Sequence, residues 1–302
     1  MKLHEFQIVV PSEYTTVTLF PAACVHRDDP GHSPSHWKAY LDEVKATPNG
    51  YALFLGDYFT WLRTHARNWV KQYPHDENSF EAMHDWRHQM TGDFAKELAP
   101  IKDRIIGMHV GNHNHTYPDG TNDTQELCRI LKVPYLEHTA LTRIKISVPK
   151  RPAHKILTML SLHGEGVGGG QTAGGDINAM INKGGAWDVD IVCLAHNHQR
   201  NTAQTVHLKL PHHGAVRVEE RDRVFIRAGC FVRGYTPGCT TYAERNLLKP
   251  TAIGHVRLDV LFKKPYSKEK YLDARQDGAS PREADRHHSR TTSIQHSFKV
   301  TQ

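Results

Sequence analysis

Four short segments carry the residues best suited to chemistry: Gly56-Asp57, Gly111-Asn112-His113, His163-Gly164 and His196-Asn197-His198. Each follows an apolar run of the kind that forms a β-strand. Together they supply one carboxylate, one amide oxygen and several imidazoles, a ligand set for two divalent metals. Upstream, Cys24 stands two residues before His26, where a second carboxylate would be useful. Taken singly, each segment is an ordinary turn, since Asn, Asp and Gly all favour turns. Taken jointly, four strand ends bearing Asp, Asn-His, His and His-x-His in that order point to a metal centre. A carboxylate has two oxygens and can bridge two cations. Neutral imidazoles add no charge, so the centre stays positive and attracts phosphate.

The elements that must position these residues follow from patterning. Strands are expected at 5–10 and 16–25, and a helix from an N-cap at Ser35 to about Lys45, with Trp37, Tyr40, Leu41 and Val44 at helical spacing. Residues 51–56 form a continuous apolar run, as in a strand buried on both faces. A long helix over 79–99 carries Met83, Trp86, Met90, Phe94 and Leu98, with Asn78 or Ser79 as its cap. A strand at 104–110 and a helix near 122–131 come next, then strand formers over 134–162. Asp176 opens a short helix, and Ile191 to Leu194 forms a strand. Strand pairs at 204–210 and 215–229, a helix at 240–248 and a last strand at 254–262 complete the pattern. Strands alternating with helices early and hairpins late imply α/β layers around a mixed sheet or two facing sheets. The domain is expected to span 1–264. Residues 265–302 hold few large apolar side chains (Tyr266, Tyr271, Leu272, Ile294, Phe298, Val300), and a mobile polar tail is expected there.

The chain has 302 residues, enough to bury a sizeable core without staples. No stretch of 18 apolar residues occurs, and the N-terminus lacks a signal-peptide apolar region. A cytoplasmic location and no membrane partner are expected. Five scattered cysteines with no Cys-x-x-Cys pair argue against a disulfide framework or a zinc ribbon. The 23 histidines are the compositional outlier. The net charge of +6, with a pI near 9.0, permits a polyanionic partner without demanding one, since no run of five or more Lys/Arg occurs. The glycines after His163 let backbone approach a ligand, but no Gly-Lys-Ser/Thr of a phosphate-binding loop follows.

Read together, Cys24-Val25-His26, Gly56-Asp57, Gly111-Asn112-His113, His163 and Ala195-His196-Asn197-His198 resemble the calcineurin-like metallophosphoesterase superfamily. That family's pattern reads Asp-x-His, Gly-Asp, Gly-Asn-His, His and Gly-His-x-His. The resemblance covers about residues 16 to 200. The stretch from His163-Gly164 to His198 is most similar to members borne by phages and prophages, as is Thr240-Thr241-Tyr242-Ala243-Glu244.

The resemblance implies an α/β fold of two facing mixed β-sheets flanked by helices. It implies two divalent transition metals (Mn, Fe, Zn or Ni), with Asp57 bridging, His26 and His198 on one, and Asn112, His163 and His196 on the other. It implies that His113 is not a ligand but protonates the leaving group while a metal-bound hydroxide attacks phosphorus. The expected activity is hydrolysis of phosphodiesters in nucleic acid or nucleotides, as a nuclease or a cyclic-nucleotide phosphodiesterase. A phosphoprotein or small-molecule phosphomonoesterase is the alternative enzyme, and a non-catalytic scaffold on the same fold is the alternative of another class.

Two positions depart from the family pattern. Cys24 replaces its first aspartate, and three readings stand side by side. Cys24 binds metal as a thiolate. Or the first site is weak or empty, leaving one metal. Or Asp28, Asp29, His32 or His36 substitutes. Ala195 replaces a glycine, with little expected consequence. Arg200 is a weak candidate for a substrate phosphate, as are Arg27 and Arg233. Tyr58, Phe59 and Trp61 are candidates for base stacking if they are not core, and His115 and Tyr117 for lining the cleft.

Overall fold

A computed structural model of the chain describes residues 1–12, 14–61, 77–150, 154–167, 174–210, 218–261 and 294–297, with 276, 278 and 280. The early half alternates strands and helices: β1 (Lys2–Val9), β2 (Thr16–Ala22), α1 (Pro34–Ala46), β3 (Gly50–Phe54), α2 (Glu77–Leu98), β4 (Ile105–Met108) and α3 (Asp123–Leu131). A 3₁₀ turn, Ala99–Arg104, joins α2 to β4. Then come β5 (Thr139–Ser147), β6 (His154–Leu162), α4 (Gly175–Gly184), β7 (Ile191–Leu194), β8 (Arg200–Lys209) and β9 (Glu219–Ala228). The short helix α5 (Tyr242–Arg245), β10 (Arg257–Leu261) and β11 (Ile294–Ser297) follow.

The strands form two mixed sheets, one in the order β1-β5-β6-β7-β9-β8 and the other β11-β10-β2-β3-β4. Alternation along each strand builds the layers. In β2, Val17 and Leu19 face the core between the sheets, while Phe20 and Ala22 face outward. In β7, Ile191 and Cys193 point inward, and Val192 and Leu194 outward. The central core is aliphatic, with Ile8, Leu53, Ile106, Ile144, Val224 and Leu258 drawn from both sheets. Outside the five-stranded sheet, Trp37 and Tyr40 of α1, Phe94 and Leu98 of α2 and Leu127 of α3 pack on Phe20 and Phe54. Outside the six-stranded sheet, Met180 of α4 packs with Val192 and Phe225. The architecture is therefore two facing mixed sheets flanked by helices. Among the described residues no helix is long and apolar enough to cross a membrane.

Strands β2, β3 and β4 run parallel, as do β6, β7 and β9. Within each sheet these carboxyl ends fall on one edge, the usual location of ligands in such layers. The segments Cys24–His26, Asp57, Asn112–His113, His163 and His196–His198 lie just past the ends of β2, β3, β4, β6 and β7.

Several local expectations change. Ser33, not Ser35, is the N-cap of α1, and Pro34 starts the helix, where its missing N–H costs nothing. Helix α2 already runs at Glu77, so Asn78 and Ser79 lie inside it rather than capping it. Its buried stripe also differs: Trp86 is 45% exposed, while Arg87, Thr91, Phe94 and Leu98 are buried. The helix expected at 240–248 is only one turn long. Within the stretch read as a polar tail, β11 pairs antiparallel with β10; most of the remainder lies outside the described residues.

Candidate metal centre

The site begins with backbone geometry. Cys24, His26, Asp57, His196 and His198 have φ of 50°, 45°, 56°, 75° and 60°. This left-handed region is uncommon for side chains other than glycine and clusters at functional sites. Here it reverses each chain just past its strand end and brings the side chains together. Two glycines make the crowding feasible. A Cβ on Gly111 would lie 2.0 Å from Asp57 Oδ1, and one on Gly56 (φ 98°) 2.7 Å from the Gly111 backbone. The Cys24 and His26 amides donate to the Gly56 and Asp57 carbonyls at 3.0 and 3.1 Å, locking the ends of β2 and β3 side by side.

The donor atoms converge in two overlapping groups. Cys24 Sγ, with one donor atom each from His26 and His198, forms a set within 4.8 Å of one another, and Cys24 Sγ with donors of Asp57 and His163 forms a second. His163 Nε2 lies 3.0 Å from Asp57 Oδ2, 3.0 Å from Asn112 Oδ1 and 3.2 Å from His196 Nδ1. Ligands bound at about 2.0–2.2 Å to one cation sit about 3 Å apart at right angles, so this spacing suits a shared metal. His26 Nε2 is buried with no hydrogen-bond partner, 3.9 Å from Asp57 Oδ2. A buried nitrogen lone pair left open toward a carboxylate is what a metal ligand requires. The residues present therefore fit divalent metals.

Outer contacts turn these lone pairs inward. His163 Nδ1 donates to the Leu55 carbonyl at 2.6 Å, leaving Nε2 to the cluster. His26 Nδ1 is hydrogen-bonded to the Thr60 hydroxyl at 2.9 Å, with the same effect on Nε2. Asp28 in turn accepts the Thr60 and Trp61 amides at 2.6 and 2.7 Å, fixing that loop. The His-x-His turn has its own clamp. Arg227 is wholly buried, donates to the Ala195 carbonyl at 2.7 Å and pairs with Asp176 at 2.9 Å. Asp176 also accepts from the Asn197 amide between the two histidines. Of these partners, Arg227 had a sequence signal, a lone charge inside Val-Phe-Ile-Arg-Ala. Thr60 had none.

Electrostatics favour neutral imidazoles at most of the candidate ligand positions. Burial lowers the pKa of His26 well below the ordinary value, lowers that of His196, and brings His198 down to about 4. Burial alone would raise Asp57, but His163, His26 and His113 hold its carboxyl well below the usual carboxylate range. Burial opposes charge on His163, yet the adjacent Asp57 wins and raises its pKa. Burial, then Asp57, pushes the Cys24 thiol well up.

The other candidates are placed as follows. Backbone His113 N–H donates to Asp57 Oδ1 at 3.0 Å, and its ring packs edge-on against His26, centroids 5.0 Å apart. The four residues considered as substitutes for Cys24 bond elsewhere. Asp28 holds the amides already named, Asp29 accepts from the Gly31 amide, and His36 bonds Ser33; His32 Nδ1 donates to the Val25 carbonyl, and its buried Nε2, though unpartnered, belongs to neither donor group. Arg200 donates to the Ile253 carbonyl at 3.3 Å, Arg27 pairs with Glu97 at 2.9 Å, and Arg233 is exposed. Tyr58, Phe59 and Trp61 are core: the Tyr58 hydroxyl donates to the His109 carbonyl, and Phe59 stacks on Trp61 at 4.3 Å. They are not free to stack on a base. His115 and Tyr117 pack edge-on at 5.0 Å beside α2.

No protein-family model and no curated protein matches the chain. Among solved structures, a single mutant of Vps29 from Entamoeba histolytica is 12% identical, with a TM-score of 0.34, covering 81% of this chain and 85% of that one. Wild-type Vps29 complexed with zinc from the same organism is 13% identical, with a TM-score of 0.33 over 81% and 85% of the two chains. A conserved uncharacterized protein described as a predicted phosphoesterase, from Streptococcus pneumoniae, is 12% identical, with a TM-score of 0.31 over 82% and 83%.

Two outcomes are expected. Gly111→Ala should displace Asp57 and abolish metal binding, as read by metal content after dialysis; retained stoichiometric metal would contradict the crowding argument. Proton and metal compete for His163 Nε2. Because its pKa is raised, metal affinity should begin to fall already above the ordinary imidazole range and keep falling as pH drops through it. Calorimetric titration with zinc at several pH values checks this, and an affinity independent of pH would refute it.

Proposed function

We propose that this chain is a metal-dependent phosphoester hydrolase, and that its substrates are phosphodiesters of nucleic acid or nucleotides. The convergence of Cys24, His26, Asp57, Asn112, His163, His196 and His198 on one strand-end cluster, with His113 against it, carries this reading. Asp57 would bridge two metals. His26 and His198, with Cys24 as a thiolate, would hold one; Asn112, His163 and His196 would hold the other. When bound, divalent transition metals at this centre supply Lewis acidity that polarises phosphoryl oxygens and activates water.

The chain's own groups do the remaining work. His113 Nδ1 donates to the Thr60 carbonyl at 3.4 Å, which orients the ring. A proton on Nε2 can then pass to the departing alkoxide, so the imidazolium is the active form. The His113 backbone amide holds Asp57, coupling the acid's position to the bridging carboxylate. Thiolate ligation by Cys24 is supported by its Sγ belonging to both donor groups and by the engagement of Asp28, Asp29, His32 and His36 elsewhere. A mildly basic chain suits a polyanionic substrate.

Elemental analysis of the chain purified without chelator, beside a panel of nitrophenyl mono- and diesters, DNA, RNA and cyclic nucleotides, tests the reading. Stoichiometric transition metal and diester hydrolysis are expected. Substoichiometric metal with no gain on adding manganese would leave a non-catalytic scaffold instead. His113→Ala should lose about 100-fold or more in kcat with metal content unchanged; near-full turnover would remove it from the mechanism. Cys24→Asp should keep metal and activity with an altered metal preference. If metal preference stays unchanged along with metal load and rate, Cys24 is a bystander.

A further inference from the structure

Helix α2 buries a cation that the proposed chemistry does not use. Arg87 is only 6% exposed, and its Nε is buried with no hydrogen-bond partner. Among the described residues its close contacts are not anions: Nη1 lies 3.3 Å from His115 Nε2, and the guanidinium carbon lies 5.9 Å over the Trp61 ring. Arginine only donates, so His115 Nε2 accepts, and the neutral ring then carries its proton on Nδ1. His84, with its ring 5.4 Å from that of His115, also has a buried unpartnered Nδ1. No nearby carboxylate among the described residues hydrogen-bonds the guanidinium, although Glu126 Oε2 is itself buried without a partner. Asp123 accepts from Trp61 Nε1 and from the His115 and Thr124 amides, and Glu126 pairs with His88 at 2.7 Å. Asp123 acts on Arg87 only from a distance, and a buried guanidinium with no directly bonded anion is disfavoured unless a ligand supplies one.

This cluster adjoins the metal centre through a single loop. Asn112 and His113 serve the centre, and His115 turns to Arg87 on the same segment. The half-buried His115 and the exposed His88 leave the cluster a side open to solvent. We propose that Arg87 and His115 form an anion subsite that receives a second phosphate of the substrate, next to the one hydrolysed. The guanidinium fork and the His115 N–H suit an oxyanion. The subsite rests on the phosphodiesterase reading and narrows its substrate to oligonucleotides with neighbouring phosphates.

The test compares kcat/KM for a 5′-phosphorylated dinucleotide with that for bis(4-nitrophenyl) phosphate, in the metal-loaded chain and its Arg87→Gln and Arg87→Lys variants. Arg87→Gln should lower the ratio of the two about tenfold or more, as for loss of a charged hydrogen bond; Arg87→Lys should recover part of it. An unchanged ratio overturns the subsite, whether or not both rates fall together. If the wild type hydrolyses neither ester, the hydrolase reading fails, and inorganic phosphate alone decides the subsite. Phosphate should then give a saturable change in tryptophan emission, lost in Trp61→Phe and in Arg87→Gln at unchanged melting temperature. No change in the wild type, or the same change in Arg87→Gln, overturns it.

Discussion

Asp57 sits with its carboxylate almost fully buried among imidazoles, and much of the architecture exists to make that possible. A buried carboxylate is costly unless cations or donors surround it. His163 lies 3.0 Å from it, His26 stands 3.9 Å away, and the His113 amide donates to its other oxygen. Such a ring of partners needs the ends of four strands, β2, β3, β4 and β6, to meet, and they meet only because Gly56 and Gly111 carry no side chain where β3 and β4 pass. The left-handed turns at Cys24, His26, Asp57, His196 and His198 are the strained consequence of that convergence.

The layers outside the centre hold the strain in place. Arg227 and Asp176 tie the N-terminal end of α4 to the His-x-His turn, so a buried ion pair sets the aim of two histidines. Asp28 and Thr60 fix His26 from the loops that follow β2 and β3 of its own sheet. The His26 and His163 rings are thus oriented by hydrogen bonds to Thr60 and Leu55, and the turn that carries His196 and His198 is held through Asn197 and Ala195. The same economy leaves Arg87 conspicuous, because the buried Arg227 is paired with Asp176 while Arg87 has no ion pair among the described residues.

Much of the fold was legible in periodicity. The apolar runs ending at Phe54, Met108, Leu162 and Leu194 are strands, and the Asn122–Gln125 capping box opens α3 close to where it was expected. Where reading failed, tertiary packing overrode local pattern. Trp86 fits an apolar stripe by spacing, yet Arg87 takes the buried place because the loop of His115 and the Trp61 ring lie on that side of α2. Ser35 looks like a cap, but Pro34 can only begin the helix and so shifts the boundary to Ser33. Tyr58, Phe59 and Trp61, placed next to Asp57 in sequence, face α2 and the core instead of a ligand.

The sequence by itself determined the inventory of candidate ligands, their order, and their attachment to strand ends, because residue type and apolar alternation are local properties. Only the tertiary structure decided which atoms share a metal-sized space. Cys24 gains its place through Sγ lying within 4.8 Å of donors in both groups, while Asp28, Asp29, His32 and His36, equally near in sequence, are drawn into other hydrogen bonds. That distinction turns on distances between segments as far apart as residues 24 and 198. Such distances arise from how two sheets face each other, and no local pattern encodes them.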